Sequence, residues 1–382
     1  MRIAWIGKKT PFCGNVTYSR EITNALLDHK HEVSFLHFAQ EHTHAENLTN
    51  CQDVPLPFIY KSQVYTIPTL KATKVLTDSL KQIKPDIVHA SLTLSPLDFF
   101  LPEICEELNL PLVATFHPAF DRKVTTIASS AQFLTYQLYA PFLVNYDSTI
   151  VFSYLQKDWL ARLGVPEENI AVIPNGVDVI KYSPGASRLK EEFKAERLFV
   201  YQGRIAPEKN VESLLRAWKQ AKMGVGSKLL VVGDGALKNN LEPFYGSEYN
   251  IIWLGFVASE ERRIEILRGA DVFILPSLVE GLSLSLLEAM SCGVACMATD
   301  VGADGEVLEK GAGVVLNTRS VRSQLRTLLP LFQDHPELTT LLGQKARQRV
   351  LERYTLNKNI LQLEELYSQV LQKPRMQIIR GA

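Results

Sequence analysis

The stretch RLFVYQGRIAPEKNVESLLRAWKQAKMGVGSKLLVVGDG (197–235) decides the fold class. It opens on a short apolar run, turns at Gly203, and continues as a helical pattern over 210–221. A second apolar run, SKLLVV, then ends at a second glycine turn. Alternation of this kind implies parallel strands in a sheet covered by helices on both faces.

The same alternation starts at the first residue. RIAWI, EVSFLHF, DIVHA, PLVATF and STIVFS read as strands, with helices over 14–29, 97–108 and 130–144 between them. The pattern restarts at RLFVYQG and runs on through NIIWLG, ADVFILP and GVACMATD. Two successive sets predict two Rossmann-like domains rather than one large sheet. The boundary is expected near IPNGVDVIKYSPGASR (173–188), where turn residues crowd together. Asn175-Gly176 is a turn dipeptide that a domain hinge explains without any part in chemistry. After Thr318 the pattern is helical, and the amphipathic LNKNILQLEELYSQVLQ (356–372) is expected to pack back on the first domain. The expected division is therefore 1–178, 179–355 and a returning helix within 356–382. Open parallel sheets bind ligands beyond the carboxyl ends of their strands, so two facing sheets predict a cleft between those ends.

Composition narrows the function classes. A chain of 382 residues suits two domains, and 46% apolar with 21% charged residues suits a soluble globular protein. Lysine plus arginine equals aspartate plus glutamate, 41 each, which argues against a global electrostatic footprint for nucleic acid. The five cysteines (Cys13, Cys51, Cys105, Cys292, Cys296) show no zinc-type spacing and read as free thiols of a reducing compartment. MRIAWIGKK lacks the pattern of a signal peptide, and no apolar run is long enough to span a membrane. The expected location is the cytoplasm, with a peripheral contact on the cytosolic face of a membrane left open.

Three loops at strand ends carry the candidate chemistry. In YQGRIAPEKN (201–210), Arg204 and Lys209 stand beside a helix start, a favourable place for a diphosphate, although such cations are also common on solvated surfaces. VVGDGALK (231–238) holds only G-x-G, a weak nicotinamide-nucleotide fingerprint, and reads as a tight turn open to backbone approach. PSLVEGLSLSLLEAMSCG (276–293) is almost wholly apolar or small, yet carries Glu280 and Glu288. Carboxylates are rarely buried without a partner. A helix starting near Ser283 and ending about Cys292 puts Glu280 in the preceding loop and Glu288 in the first two turns. Amides at Ser283 and Leu284 can then meet phosphate oxygens, and the carboxylates can accept from hydroxyl-rich groups. A position at the helix rim, or a pairing with a cation, accounts equally well for Glu288.

Taken in order, GRIAPEKN, VVGDG, LGFV, ADVFILPSLVEGLSLSLLEAMSCG and VGADGEV resemble glycosyltransferase family 4. CGNVTYSREITNALLDHKHEVSFL is similar to that family's glycine loop and first helix, and IPNGVD to its interdomain segment. The resemblance implies a GT-B fold and a retaining, metal-independent enzyme that takes a nucleotide sugar as substrate and needs no cofactor. It implies that Arg204 and Lys209 hold the donor's diphosphate, with the helix start at Ser283 and Leu284. It further implies that Glu288 binds the ribose, Glu280 the transferred sugar, and Gly14 lets its loop approach the diphosphate. His117, in VATFHP, matches the family's active-site histidine near the sugar. Front-face attack through an oxocarbenium-like state is the implied chemistry. Cys13-Gly14 stands where the family often has Gly-Gly, EGLSL where it has E-G-F-G, and VGADGE lacks a second glycine, which leaves the shape of the sugar pocket open.

Acceptor choice falls to the first domain. LKATKVLTDSLKQIK (70–84) sets Lys71, Lys74, Lys81 and Lys84 opposite Leu76, Leu80 and Ile83, the pattern of any surface helix and also of one on anionic headgroups. AQFLTYQLYAPFLVNY (131–146) is either core or an apolar landing for a lipid acceptor. RIAWIGKKTPFCGNVTYSREITNALL is also similar to cyanobacterial-type digalactosyldiacylglycerol synthases, which implies transfer from UDP-galactose to a glycolipid. The expected partners are thus a UDP-sugar donor and a lipid or other glycan acceptor, and no nucleic acid. A sugar-nucleotide epimerase, a transferase with a soluble or polysaccharide-precursor acceptor, and a silent sugar-binding regulator stay open.

Overall fold

The computed structural model of the chain describes residues 1–10, 14–39, 52–62, 65–92, 94–119 and 127–373. Cys13 and Cys51 lie outside the described residues, while Cys105, Cys292 and Cys296 are buried free thiols. The strands before the boundary are β1 (Arg2–Gly7), β2 (Glu32–Phe38), β3 (Gln52–Leu56), β4 (Phe58–Lys61), β5 (Thr66–Pro68), β6 (Ile87–Ser91), β7 (Leu112–Thr115), β8 (Ser148–Val151) and β9 (Ile170–Val172). After it come β10 (Arg197–Gln202), β11 (Ser227–Val232), β12 (Ile251–Gly255), β13 (Val272–Leu275), β14 (Ala295–Thr299) and β15 (Val314–Leu316). The central strands carry continuous apolar runs because both of their faces are covered. β6 and β13, for example, are buried at every position.

One sheet has the order β3-β2-β1-β6-β7-β8-β9 and the other β12-β11-β10-β13-β14-β15, with every pairing in both parallel. The short antiparallel pair β4-β5 stands outside them. Each large sheet is doubly wound, and its strand order reverses next to its first strand. A crevice opens beyond the carboxyl ends at such a switch point. In the second sheet that point lies between β10 and β13, just past Gln202 and Leu275.

The chain divides into two compact units. The first takes in Met1–Pro118, Phe133–Ile173 and the chain from Asn359, and the second takes in Pro174–Lys358. The two passages at this division are stitched together within the second unit. Val177 N donates to Tyr354 O (2.9 Å), and Leu356 N donates to Val177 O (2.9 Å). A Cβ on Gly176 would sit 2.6 Å from Leu356 Cα, so close approach of the other segment explains the glycine of Asn175-Gly176.

The last helix, Leu356–Gln372, packs on the first unit, as its amphipathic pattern predicts. Glu364 accepts from His29 Nδ1 (3.0 Å) and His31 Nε2 (2.7 Å). Tyr367 is fully buried, and its hydroxyl lies 2.6 Å from Nδ1 of His89 on β6. His89 Nε2 meets Thr115 Oγ1 (2.7 Å), and the ring stacks on Trp5 at 4.0 Å. Burial, with His117 nearby, pushes the His89 ring down to about 3.

That burial has a measurable consequence. Below the ordinary histidine value of 6.5 the unfolded chain takes up a proton that folded His89 refuses. The contribution is intact above pH 6.5 and lost as pH falls toward 3, at up to about 1.4 kcal/mol per pH unit. The urea midpoint of unfolding is expected to be lower at pH 5 than at pH 7.5. Buried His37 and His117 are depressed in the same direction, and a midpoint that does not fall would contradict the burial of this set in the neutral form.

Candidate active site

In the second unit, two loops meet because their strands are neighbours. The first leaves β10, makes a short turn at Pro207–Lys209, passes Asn210 in the left-handed region (φ 52°), and enters the helix Val211–Ala221. The second leaves β13 and enters the helix Leu284–Ser291, with Ser283 as its cap. Leu278 N donates to Glu208 O (2.7 Å), and Asn210 Nδ2 donates to Pro276 O (3.1 Å). These bonds hold the loops side by side.

Their charged groups are paired. Buried Glu280 accepts at Oε1 from Lys209 Nζ (2.5 Å) and from Ser277 Oγ (2.8 Å). Arg204 Nη2 donates to Glu208 Oε1 (2.5 Å) on a more exposed side of the same turn. Glu288, half-buried, accepts at Oε2 from Nε2 of Gln202, the last residue of β10 (3.2 Å). Arg204, Lys209, Glu280, Ser283, Leu284 and Glu288 therefore gather around the two strand ends of the switch point.

The helix start departs in one detail from the expectation. Ser283 Oγ caps the amide of Leu286 (3.4 Å) and meets Ser285 Oγ (3.0 Å), but the Ser283 amide donates to Asp304 Oδ1 (2.9 Å). Among the first amides, those of Leu284 and Ser285 come before the intrahelical ladder begins. Asp304 is fully buried, and its second oxygen has no hydrogen-bond partner. Burial, followed by the Glu280 charge, pushes its carboxyl well above the usual carboxylate range. Asn175, from the turn dipeptide, is buried too and donates from Nδ2 to Leu282 O (3.2 Å).

The glycine turn after β11 has a structural cause. Gly233 adopts φ +135°, and a Cβ there would lie 1.9 Å from Gly203 O. Ile205 N donates to Asp234 O (2.9 Å), and Leu237 N to Ile205 O (3.0 Å). The backbone that this turn approaches is the Arg204 loop itself.

In the first unit, His117 follows β7 and lies among Tyr18 and Phe152, at ring separations of 5.0 and 5.3 Å. Ser91 Oγ donates to Asn15 Oδ1 (2.9 Å) and accepts from His117 Nε2 (2.8 Å). That network assigns the proton of the neutral ring to Nε2 and leaves Nδ1 an acceptor. Burial, then the charge of Lys8, holds His117 at about 3. Gly14 opens the helix Gly14–Asp28, is exposed, and has open space where a Cβ would stand.

Comparison with known proteins agrees with this architecture. Residues 186–349 match the family described as "Glycosyl transferases group 1", and residues 13–181 match "Glycosyltransferase Family 4". Residues 186–349 thus carry a group 1 glycosyltransferase domain. It is 28% identical over 219 residues (54% of this chain, 56% of the relative) to the UDP-Gal:alpha-D-GlcNAc-diphosphoundecaprenol alpha-1,3-galactosyltransferase of Escherichia coli. It is 29% identical over 218 residues (54% and 55%) to the N-acetyl-alpha-D-glucosaminyl L-malate synthase of Bacillus anthracis. The chain thus spans about half the length of these curated relatives. The crystal structure of Anabaena HepE in complex with UDP superposes on 97% of this chain and 100% of that one, with a TM-score of 0.77 at 16% identity. At that identity the likeness shows the fold, a GT-B fold of two Rossmann-like units.

Gln202, Asp304, Ser91 and Asn15 are the side chains at these sites that motif spacing did not single out. Only Gln202 carried a signal, as the polar end of a buried strand facing a strand-end loop.

The Lys209–Glu280 pair makes a stability prediction independent of turnover. Lys209→Met leaves a buried carboxylate unpaired and is expected to cost on the order of 3 kcal/mol. Lys209→Met with Glu280→Gln removes the charge as well and is expected to regain part of that loss, read from urea denaturation of the two variants.

Proposed function

We propose that the chain transfers a hexosyl group, with retention, from a UDP-sugar to a glycolipid or related glycan acceptor. The observation that carries the reading is the Lys209–Glu280 pair beside Arg204 at the β10–β13 switch point. A diphosphate entering this crevice competes with Glu280 for Lys209. Arg204 and the Leu284 and Ser285 amides add donors for its oxygens. Released from the lysine, Glu280 is able to accept from the hydroxyls of the transferred sugar. Glu288, oriented by Gln202, accepts from the ribose hydroxyls. The family resemblance, rather than a contact within either unit, assigns Gly14 a backbone approach to the diphosphate, and the open space where its Cβ would stand leaves room for a ligand.

In the step itself, the bond between the anomeric carbon and the diphosphate oxygen breaks, and the oxygen keeps the electron pair. The acceptor hydroxyl bonds to the same face of that carbon and passes its proton to the leaving phosphate oxygen. Arg204 and Lys209 stabilise the charge that develops on the diphosphate, so the reading needs no metal ion. His117, neutral and with Nδ1 as acceptor, takes a hydrogen bond from a sugar hydroxyl.

UDP is favoured because the E. coli relative is named for a UDP-galactose donor and HepE is in complex with UDP. A lipid-linked acceptor is favoured by the diphosphoundecaprenol in the first of these names, whereas the Bacillus anthracis relative is named for malate. UDP-galactose with a glycolipid acceptor is the narrower form of the proposal.

The test is incubation with UDP- and GDP-sugars, with and without membrane lipid extract, followed by mass spectrometry of the products. A new glycolipid formed from a UDP-sugar supports the reading, with activity retained in EDTA. Isomerised donor, or no product, overturns it. Lys209→Ala, Arg204→Ala and Glu280→Ala are each expected to lower turnover by about 10²–10³-fold, the scale of losing one charge-stabilising donor. Gly14→Ala is expected to keep the melting temperature and raise KM for the donor. Near-wild-type turnover in a folded Lys209→Ala protein contradicts the diphosphate assignment.

A further inference from the structure

The first unit carries an apolar face that its own packing leaves in water. The β4-β5 hairpin is outside the seven-stranded sheet, and its register sets Tyr60 opposite Ile67. Ile59, Tyr60, Tyr65 and Ile67 are all exposed, and the two tyrosine rings lie 5.5 Å apart. Leu70, directly after the hairpin, is fully exposed. Exposed apolar side chains gathered in one place mark an interaction surface, whereas single ones need no explanation.

A basic face follows at once. The helix Ala72–Ile83 buries Ala72, Leu76 and Leu80. Lys71, Lys74, Lys81 and Lys84 are exposed on and beside it, with Asp78 the one carboxylate within the helix. Lys61, within the hairpin, is not part of this set. Its ammonium donates to Thr10 Oγ1 (2.6 Å) and Phe38 O (2.8 Å).

We propose that this face docks on an anionic lipid bilayer. Leu70, Ile59 and Ile67 enter the boundary between headgroups and acyl chains. Tyr60 and Tyr65 lie at headgroup level, where an apolar ring with a polar tip is at home. Lys71, Lys74, Lys81 and Lys84 meet the anionic headgroups. Charge selects this occupant, because a second copy of the chain would set these lysines against their own kind. The surface is argued from the first unit alone, and its failure leaves the transferase reading standing.

The test is flotation of the full chain with vesicles of phosphatidylcholine alone or mixed with phosphatidylglycerol, without donor or acceptor. The chain is expected to float with the mixed vesicles and not with phosphatidylcholine, and to be released by high salt. A lysine at an anionic surface is worth roughly a fivefold change in partition. Lys71→Gln with Lys74→Gln is therefore expected to weaken binding at least about tenfold. Ile59→Ser with Leu70→Ser is expected to do the same without loss of salt dependence. All four positions are exposed, and far-UV circular dichroism checks that the variants are folded. Wild-type chain that stays in solution, floats equally with both vesicles, or floats no better than the variants overturns the proposal. So does a dimer that Leu70→Ser dissolves in a chain that binds no vesicle.

Discussion

A lysine and a glutamate brought together by two adjacent parallel strands set the terms for the second unit's site. Lys209 and Glu280 are far apart in sequence, and only the reversal of strand order beside β10 makes β13 its neighbour. Burying Glu280 without a cation would be costly, and the crevice supplies the cation from the facing loop. The loop after β13 is apolar over most of its length because it packs on the sheet. Its single buried carboxylate is tolerated where Lys209 reaches it and Ser277 fills a remaining lone pair. On the proposed reading, donor binding exchanges one anionic partner of the lysine for another. The cation is desolvated already, so the diphosphate enters a site whose electrostatic cost the fold has met in advance.

The loops around that pair are held from several sides, and mostly by backbone. The Arg204 loop rests on the turn at Gly233, which allows the carbonyl of Gly203 to come within contact. The Glu280 loop is bonded to the β14 side through Ala303 N, which donates to Gly281 O (2.7 Å), and through Asp304 to the Ser283 amide. Asn175 reaches Leu282 from the segment that enters the unit. Constraints of this kind fix the backbone on which Glu280 stands, while its Oε1 accepts from Lys209 and Ser277.

Much of this was legible in the sequence, for reasons that differ by feature. Central strands such as β1, β6, β10 and β13 were legible because burial on both faces writes a continuous apolar run. The edge strands β3, β9 and β15 and the hairpin β4-β5 were not, since short strands with one open side carry mixed residues and prolines at Pro55 and Pro68. Glu280 and Glu288 stood out because charge in an apolar stretch needs an explanation, and Arg204 and Lys209 because they stand at a strand end beside a helix start. Their mutual pairing did not, because it depends on which strands are neighbours. Asp304 was hidden in VGADGEV, where a polar residue in a loop looks solvated. Its burial, and its hold on the Ser283 amide, follow only from the packing of that loop on the start of the preceding helix, Leu284–Ser291. The glycines of VVGDG were legible as a turn, but the reason for them, contact with the Arg204 loop, is tertiary.

The first unit shows the complementary use of burial. Its sheet keeps a chain of polar side chains, Tyr367, His89, Thr115 and Tyr18, satisfied by one another and closed to water. A second chain, Asn15, Ser91 and His117, ends at the exit of β7. Both histidines are held neutral, and for His117 that state matters to the proposed chemistry. An oxocarbenium-like centre gains positive charge as the leaving group departs, and a cationic imidazolium beside it would oppose that step. A neutral ring with its Nε2 proton committed to Ser91 presents an acceptor instead. Burial, which holds the ring at about 3, keeps it an acceptor at neutral pH. On that reading, the charge that balances the departing diphosphate is assigned to Arg204 and Lys209, and the histidine at the end of β7 adds none.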